Sequence, residues 1–127
     1  MSDVFLYITV FLTGGIGYGA LEILWRGYTH PSMLAAGGIC FTLLHIINTK
    51  TDFTRLQKAI SGAAVITTVE FIFGCIFNIE LGLGVWDYSA MPYNLCGQIC
   101  AGFTLLWAVL AYFSEYLSAF IEKRLKK

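Results

Sequence analysis

The sequence predicts an all-α membrane protein, a bundle of four transmembrane helices with an ordered loop between the third and fourth helices. Of its 127 residues, 57% are hydrophobic and only 13% are charged, too few charges to cover a water-soluble core of this size. The apolar residues fall into four runs, each near the ~20 residues that a transmembrane helix needs. We therefore expect residues 1–127 to form a single membrane domain.

The predicted spans are residues 4–25, 32–48, 59–78 and 95–120. The first is about 33 Å long at about 1.5 Å per residue, enough to cross a hydrocarbon core of about 30 Å. Asp3 precedes it, without Lys or Arg and without a small-residue cleavage pattern after it. We therefore expect this helix to belong to the mature protein and not to a signal peptide.

The interval between the third and fourth spans combines two kinds of residue. Gly82, Gly84 and Pro92 favour turns and interrupt helices, whereas Trp86 and Tyr88 are large and largely apolar. This mixture predicts an ordered loop that folds onto the bilayer or partly into it.

The distribution of cations predicts the orientation. Lys50, Arg55 and Lys58 share a side with the basic residues of the segment 123–127, whereas the other side has only Arg26. Lys and Arg in short loops are retained on the cytoplasmic side. The sequence therefore predicts a multi-pass protein of the cell membrane with both termini cytoplasmic.

Several function classes are disfavoured by the composition. Lys plus Arg and Asp plus Glu are equal at 8 each, so the basic excess needed for nucleic-acid binding is missing. The four cysteines lack the spacing of a zinc site, and Cys96 and Cys100, on one face of the predicted helix, are expected to pack as small hydrophobes. We find no serine with a base and no close carboxylate pair, and expect no enzyme, metal or cofactor.

The polar residues of the spans carry the functional hypothesis, because an ion inside a membrane costs about 2.5–3.5 kcal/mol on insertion scales. Glu70 lies near the middle of the third span without a cation within a helical turn, and Arg26 and His45 are its candidate partners. Glu22 and Arg26 are four residues apart on one helix face. They either neutralise each other at the interface or form the wall of a binding cavity.

Further polar residues gather around the third loop, where amide and carboxylate groups either satisfy backbone groups or bind a polar ligand. Together with the spans they predict a ligand-binding polar cavity on the outer side. The candidate residues are Glu22, Arg26, Glu70, Asn78, Trp86, Asp87, Asn94 and Gln98.

Small residues predict close contacts between helices. Gly15 and Gly19 have the small-xxx-small spacing, and Gly37 and Gly38 form a second smooth surface. We expect these glycines to serve packing or dimerisation.

Several motifs together resemble a known family. They are Gly-Tyr-Gly-Ala-Leu-Glu in the first helix, Gly-Gly-Ile-Cys-Phe in the second, Glu70 with Asn78, and Val-Trp-Asp-Tyr-Ser followed by Pro92, Asn94, Gly97, Gln98 and Cys100. Over nearly its whole length the chain resembles the ABC-transporter permease family of the CmpB type (ABC-transporter type IV), which includes vertebrate transmembrane proteins. The resemblance implies a transport role. Since no Walker-type loop occurs here, ATP hydrolysis, if it drives transport, needs another chain.

The leading hypothesis is a permease-like or ligand-binding membrane component with an outer polar cavity. It would work in the lipid bilayer as a homo-oligomer or with another membrane or ATPase subunit. The alternative is a scaffold protein whose polar cluster only stabilises helix packing. Substitution discriminates the two, because a structural polar network loses stability when one member is removed, whereas a functional site often tolerates it.

Overall fold

The structure, a computed structural model, describes residues 3–125, with the exception of the side chain of Arg26. Its long helices are α1 (Asp3–Arg26), α2 (Pro31–Lys50), α3 (Arg55–Phe73) and α4 (Ala101–Leu125). A π-helical segment, Gly74–Glu80, continues α3, and two short strands, β1 (Asn94–Leu95) and β2 (Ile99–Cys100), precede α4. The predicted all-α fold of four membrane helices is confirmed.

All four helices are long and apolar enough to cross a membrane, the third of them together with its π-helical segment. Their outer faces carry large apolar side chains, such as Ile16 with 67%, Leu24 with 83% and Leu105 with 70% of the surface exposed. A water-soluble protein rarely exposes so continuous an apolar surface. The protein is therefore a membrane protein, and this surface contacts the lipid bilayer.

Local sequence signals start two of the helices. Pro31 lies in the first turn of α2, where the Nδ1 atom of His30 accepts a hydrogen bond of 3.1 Å from the amide of Ser32. At the start of α3, Thr54 and Gln57 form a reciprocal capping box. These caps satisfy amides that helix starts leave unpaired.

The start of the last helix differs from the prediction. α4 begins at Ala101 and not at residue 95, because β1 and β2 form an antiparallel hairpin there. Cys96 and Gly97 form its turn with φ angles of 56° and 73°, and the amide of Gln98 donates to the carbonyl of Leu95. Two successive positive φ angles are typical of a type I′ hairpin turn and cannot occur in an α-helix.

The placement of Cys96 and Cys100 on one helix face was accordingly wrong. The side chain of Cys96 is exposed at the turn, whereas that of Cys100 is buried in β2. Both thiols are free.

The helices pack as two pairs. α1 packs mainly on α2 and α3 mainly on α4, and α2 also contacts α3 and α4. By comparison, α1 has little contact with α4. The α1–α2 contact depends on glycine, since a Cβ atom at Gly15 would lie 2.7 Å from the carbonyl oxygen of Leu34.

We call the end of the bundle where α1 begins and α4 ends the base, and the opposite end the loop end. Polar contacts fix the helices at the base. Glu115 of α4 binds Lys58 and also Arg55 of α3, the latter with an Nε–Oε1 distance of 2.8 Å. Asn48 of α2 donates to Ser114 and Ser118 of α4. These contacts hold α2, α3 and α4 together at the base.

His45 takes part in the same base and not in a pair with Glu70. Its side chain is fully buried, and its Nε2 atom lies 3.0 Å from the Oε2 atom of Glu122. His45 as a partner of Glu70 was therefore wrong: Glu122, near the end of α4, reaches the imidazole instead.

Candidate functional site

A cavity of about 330 Å³ lies between the four helices. Towards the base it is closed by a cluster of buried apolar residues that includes Phe41, Leu44 and Ala111, and towards the loop end by Met33, Val85 and Trp86. Every helix contributes to its wall, and Trp86 of the loop completes it. The volume is within the range of about 300–1,000 Å³ of small-molecule sites.

Most of the wall is apolar. Among its polar side chains, the hydroxyl of Thr13 donates to the carbonyl of Thr9 within the same helix, and that of Ser114 donates to the carbonyl of Ala111. Ser114 also accepts from Asn48. These hydroxyl donors are therefore already engaged in the packing of the bundle.

Glu70 provides the carboxylate of the wall, and its side chain is 7% exposed. Its Oε1 atom accepts a hydrogen bond of 3.2 Å from Nε1 of Trp107 on α4, and its Oε2 atom accepts one of 2.9 Å from the hydroxyl of Tyr88 in the loop. Among the described residues, no Lys, Arg or His nitrogen forms an ion pair with this carboxylate. Two neutral donors therefore satisfy the acid.

Tyr88 is held as a donor by its surroundings. Burial, together with the neighbouring Glu70, raises the pKa of Tyr88 well above its usual range. The phenol therefore stays protonated and can donate to the carboxylate. Its ring stacks on that of Phe103, with 4.9 Å between centroids, which fixes the loop against α4.

The structure does not test the predicted pair of Glu22 and Arg26. Glu22 is partly exposed on α1 and interacts electrostatically with Glu70, although it does not line the cavity. The side chain of Arg26 lies outside the part of the chain that the structure describes. The pairing therefore stays a prediction.

Asn78, Trp86 and Gln98 meet at the loop end of the cavity. The Nδ2 atom of Asn78 donates to Oε1 of Gln98 over 2.8 Å, and its Oδ1 atom accepts from the amide of Val85 over 2.6 Å. The indole of Trp86 donates to the carbonyl of Gln98 over 2.9 Å. We call these three residues the loop lock, because their contacts attach the loop to the end of the third span and hold Trp86 over the cavity.

Asp87 and Asn94 shape the loop itself. Asp87 accepts hydrogen bonds from the hydroxyl and the amide of Ser89, which lower the pKa of Asp87 below its usual range. Asn94 donates to the carbonyls of Ser89 and Met91 and accepts from the amide of Gly97. Both side chains therefore bind the backbone of their own loop.

Of the predicted site residues, Glu70 and Trp86 line the cavity, Asn78 and Gln98 lie behind Trp86, and Asp87 and Asn94 stay in the loop. Among the described residues, the cavity wall is thus apolar with one acid, Glu70, and not the polar cavity predicted from the sequence. The reason is that the amides and Asp87 satisfy the backbone of an irregular loop, which in a membrane protein must find its partners within the protein.

The sequence reasoning missed Trp107 and the role of Tyr88. A tryptophan is usual at the membrane interface, whereas Trp107 lies well inside the fourth span, between Ala101 and Leu125. That position was the signal, because an indole N–H within a span requires an acceptor. Tyr88 could be recognised as part of the loop but not as a donor to a residue of α3.

The fold defines a multi-pass membrane protein with a cavity between its helices. The family model described as "Putative ABC-transporter type IV" matches residues 33–127, and the chain belongs to this family. The match confirms the resemblance seen in the sequence and includes Glu70, Trp86 and Trp107. No curated protein and no solved structure matches the chain.

Proposed function

We propose that the protein is the permease-like or ligand-binding component of a membrane transport system, and that its ligand site is the cavity at Glu70. The observation that carries the proposal is a buried carboxylate on the wall of a cavity between four membrane helices. Ionisable groups within membrane spans are costly and usually serve a pathway or a ligand. Membership of an ABC-transporter family supports the same role.

The sparse contact between α1 and α4 supports a lateral access route. Gly17 of α1 belongs to the cavity wall, and a Cβ atom added there would meet no heavy atom within 4 Å. We propose that ligands enter between α1 and α4 from the bilayer, where apolar molecules concentrate.

The same proposal covers the orientation of this component in the membrane and its partner subunits. The basic residues at the base support cytoplasmic termini in the cell membrane. Since the sequence lacks a Walker-type loop, a separate ATPase subunit would supply ATP hydrolysis. Without such a partner, the component would work as a homo-oligomer.

The test uses a neutral aromatic probe, neopentylbenzene, with the purified full chain in dodecyl maltoside. Trp25→Phe removes an indole that is 81% exposed, so that the fluorescence reports on Trp86 and Trp107 of the cavity wall. In this background, Gly17→Leu fills the cavity and is expected to weaken probe binding at least about tenfold.

The matched control is Gly102→Leu, because Gly102 also has open space around it but does not line the cavity. It should bind the probe as the parent does. Equal binding by the parent and both leucine variants, or no binding by the parent, would contradict a ligand site at this place.

A scaffold role is the second candidate, and the loop lock favours it, since each of its polar groups is used within the chain. In this case the cavity has no ligand, and Glu70 serves to join Tyr88 to Trp107. A Glu70→Gln variant would then lose thermal stability, while Gly17→Leu would leave the response of the tryptophan fluorescence to the probe unchanged.

A further inference from the structure

We infer that the cavity takes an organic cation, a molecule with an apolar body and an ammonium group that binds at Glu70. The inference rests on the proposed function and names the class of its ligand. It follows from three features of the wall: the hydrogen bonds of the carboxylate, the aromatic rings beside it and the scarcity of other groups that bind polar ligands.

The hydrogen bonds of Glu70 suit an ionised carboxylate. Each oxygen accepts from a different donor, the indole of Trp107 and the hydroxyl of Tyr88. An indole N–H has no acceptor capacity. Because both donors are neutral, they stabilise the negative charge without cancelling it. A cation in the cavity would therefore find an opposite charge.

The carboxylate also keeps capacity for a ligand. An ionised carboxylate offers about four lone-pair sites, and the indole of Trp107 and the hydroxyl of Tyr88 use two of them. Its side chain is on the cavity wall, where an ammonium group inside the cavity can approach the carboxylate.

Aromatic rings surround the same position. Trp107 donates to the carboxylate, Tyr18 meets Trp107 in a T-shaped contact with 6.1 Å between ring centroids, and Trp86 covers the loop end. A cation within about 6 Å of such a ring gains from its quadrupole, most strongly with Trp and when water is excluded.

The rest of the wall selects an apolar body. Residues such as Met33, Ile66, Val69 and Leu110 line it with carbon, and the hydroxyls of Thr13 and Ser114 donate to backbone carbonyls. A ligand with several hydroxyl or carbonyl groups would lose its hydration without replacement. A substituted ammonium has few such groups to lose.

The experiment compares two probes of the same shape. Benzyltrimethylammonium carries the charge, and neopentylbenzene is its neutral carbon counterpart. In dodecyl maltoside, with Trp25→Phe as the parent, we expect the cation to bind about tenfold more tightly than the neutral probe.

Two variants with the same chemical change assign the preference to the carboxylate. Glu70→Gln should reduce the ratio of the two affinities to about one, because it removes the charge of the carboxylate on the wall. Glu80→Gln is the control, since Glu80 is an exposed acid that does not line the cavity, and it should keep the preference. If Glu70→Gln does not fold, the two probes are still compared on the parent and on Gly17→Leu, in which the cavity is filled. This comparison shows whether the cavity prefers the cation.

The outcomes separate the two proposals. If the parent binds the neutral probe as tightly as the cation, or more tightly, the inference of a cation is overturned and the ligand site stands. If neither probe binds, both fail. A cation preference that persists in Glu70→Gln also overturns the inference.

Addition of phosphatidylcholine, which carries the same quaternary ammonium, distinguishes a lipid headgroup from a free cation. Competition by the lipid assigns the ammonium to a headgroup, and its absence assigns it to a free molecule.

Discussion

At the scale of single residues, the loop depends most on Asn78. Its amide binds a side chain, Gln98, and the backbone amides of Val85 and Trp86, so that one residue at the end of the third span orders the start of the loop. Trp86 in turn closes the cavity. An amide is suited to this place because it donates and accepts at once without charge.

We predict that Asn78→Ala destabilises the protein by about 1–3 kcal/mol, because it leaves the amide of Val85 and Oε1 of Gln98 without their partner. The free energy of unfolding in mixed micelles, titrated with SDS, measures the loss. The control is Asp87→Ala, whose partners, the hydroxyl and the amide of Ser89, are exposed so that water can satisfy them. A loss at residue 87 equal to that at residue 78 would contradict the loop lock.

The need of Glu70 for a partner could be predicted from the sequence, but its partners could not. The cost of a carboxylate in a span is a local property, whereas its donors come from a loop and from α4, 18 and 37 residues away in the chain. A search for cations overlooked neutral donors, which stabilise a carboxylate as well.

At the scale of the helices, the α1–α2 pair is held close by missing side chains. Gly14 and Gly37 face each other's backbones, and a Cβ atom on Gly14 would lie 2.6 Å from the carbonyl oxygen of Gly37. In a bilayer, where lipid is as apolar as leucine, such close packing is a main source of helix association.

We predict opposite effects for two alanines on the same helix. Gly15→Ala places a methyl group against the carbonyl of Leu34 and should cost about 1–3 kcal/mol. Gly17→Ala meets open space and should gain up to about 1 kcal/mol from helix propensity. Thermal unfolding in detergent checks both. If the two substitutions shift the midpoint in the same direction, the α1–α2 contact is not as close as described.

The same helices show which features the sequence patterns could predict and which they could not. Apolar runs predicted four membrane helices, since hydropathy over about 20 residues is a strong signal. The start of α4 was missed because residues 95–100 are as apolar as a helix, and only their backbone conformation shows the hairpin turn at Cys96 and Gly97. Tertiary contacts decide whether a cysteine adopts a positive φ, and these contacts are not visible in the sequence.

At the scale of the whole molecule, the four helices alternate in direction, so α1 begins and α4 ends at the base. The loop between α3 and α4 lies at the opposite end. The composition predicted the membrane class because it reflects the whole surface, whereas the character of the cavity depends on which side chains the loop uses for itself.

We predict that Cys96 is labelled from outside intact cells by a membrane-impermeant maleimide, since its thiol is exposed at the loop end and the base is expected to be cytoplasmic. Cys96→Ser should abolish the signal. In that background, Asp52→Cys at the base should react only after lysis. The reverse pattern would show that the termini face outward.

The bond between Tyr88 and Glu70 joins two environments. The phenol belongs to the loop that follows the third span, whereas its acceptor lies within that span. Any force that lifts this loop away from the bundle removes one donor from the acid. A partner that binds the extramembrane face would thereby change the hydrogen bonding of Glu70 without contacting it. In return, a ligand bound at Glu70 would change the position of the loop that carries Tyr88.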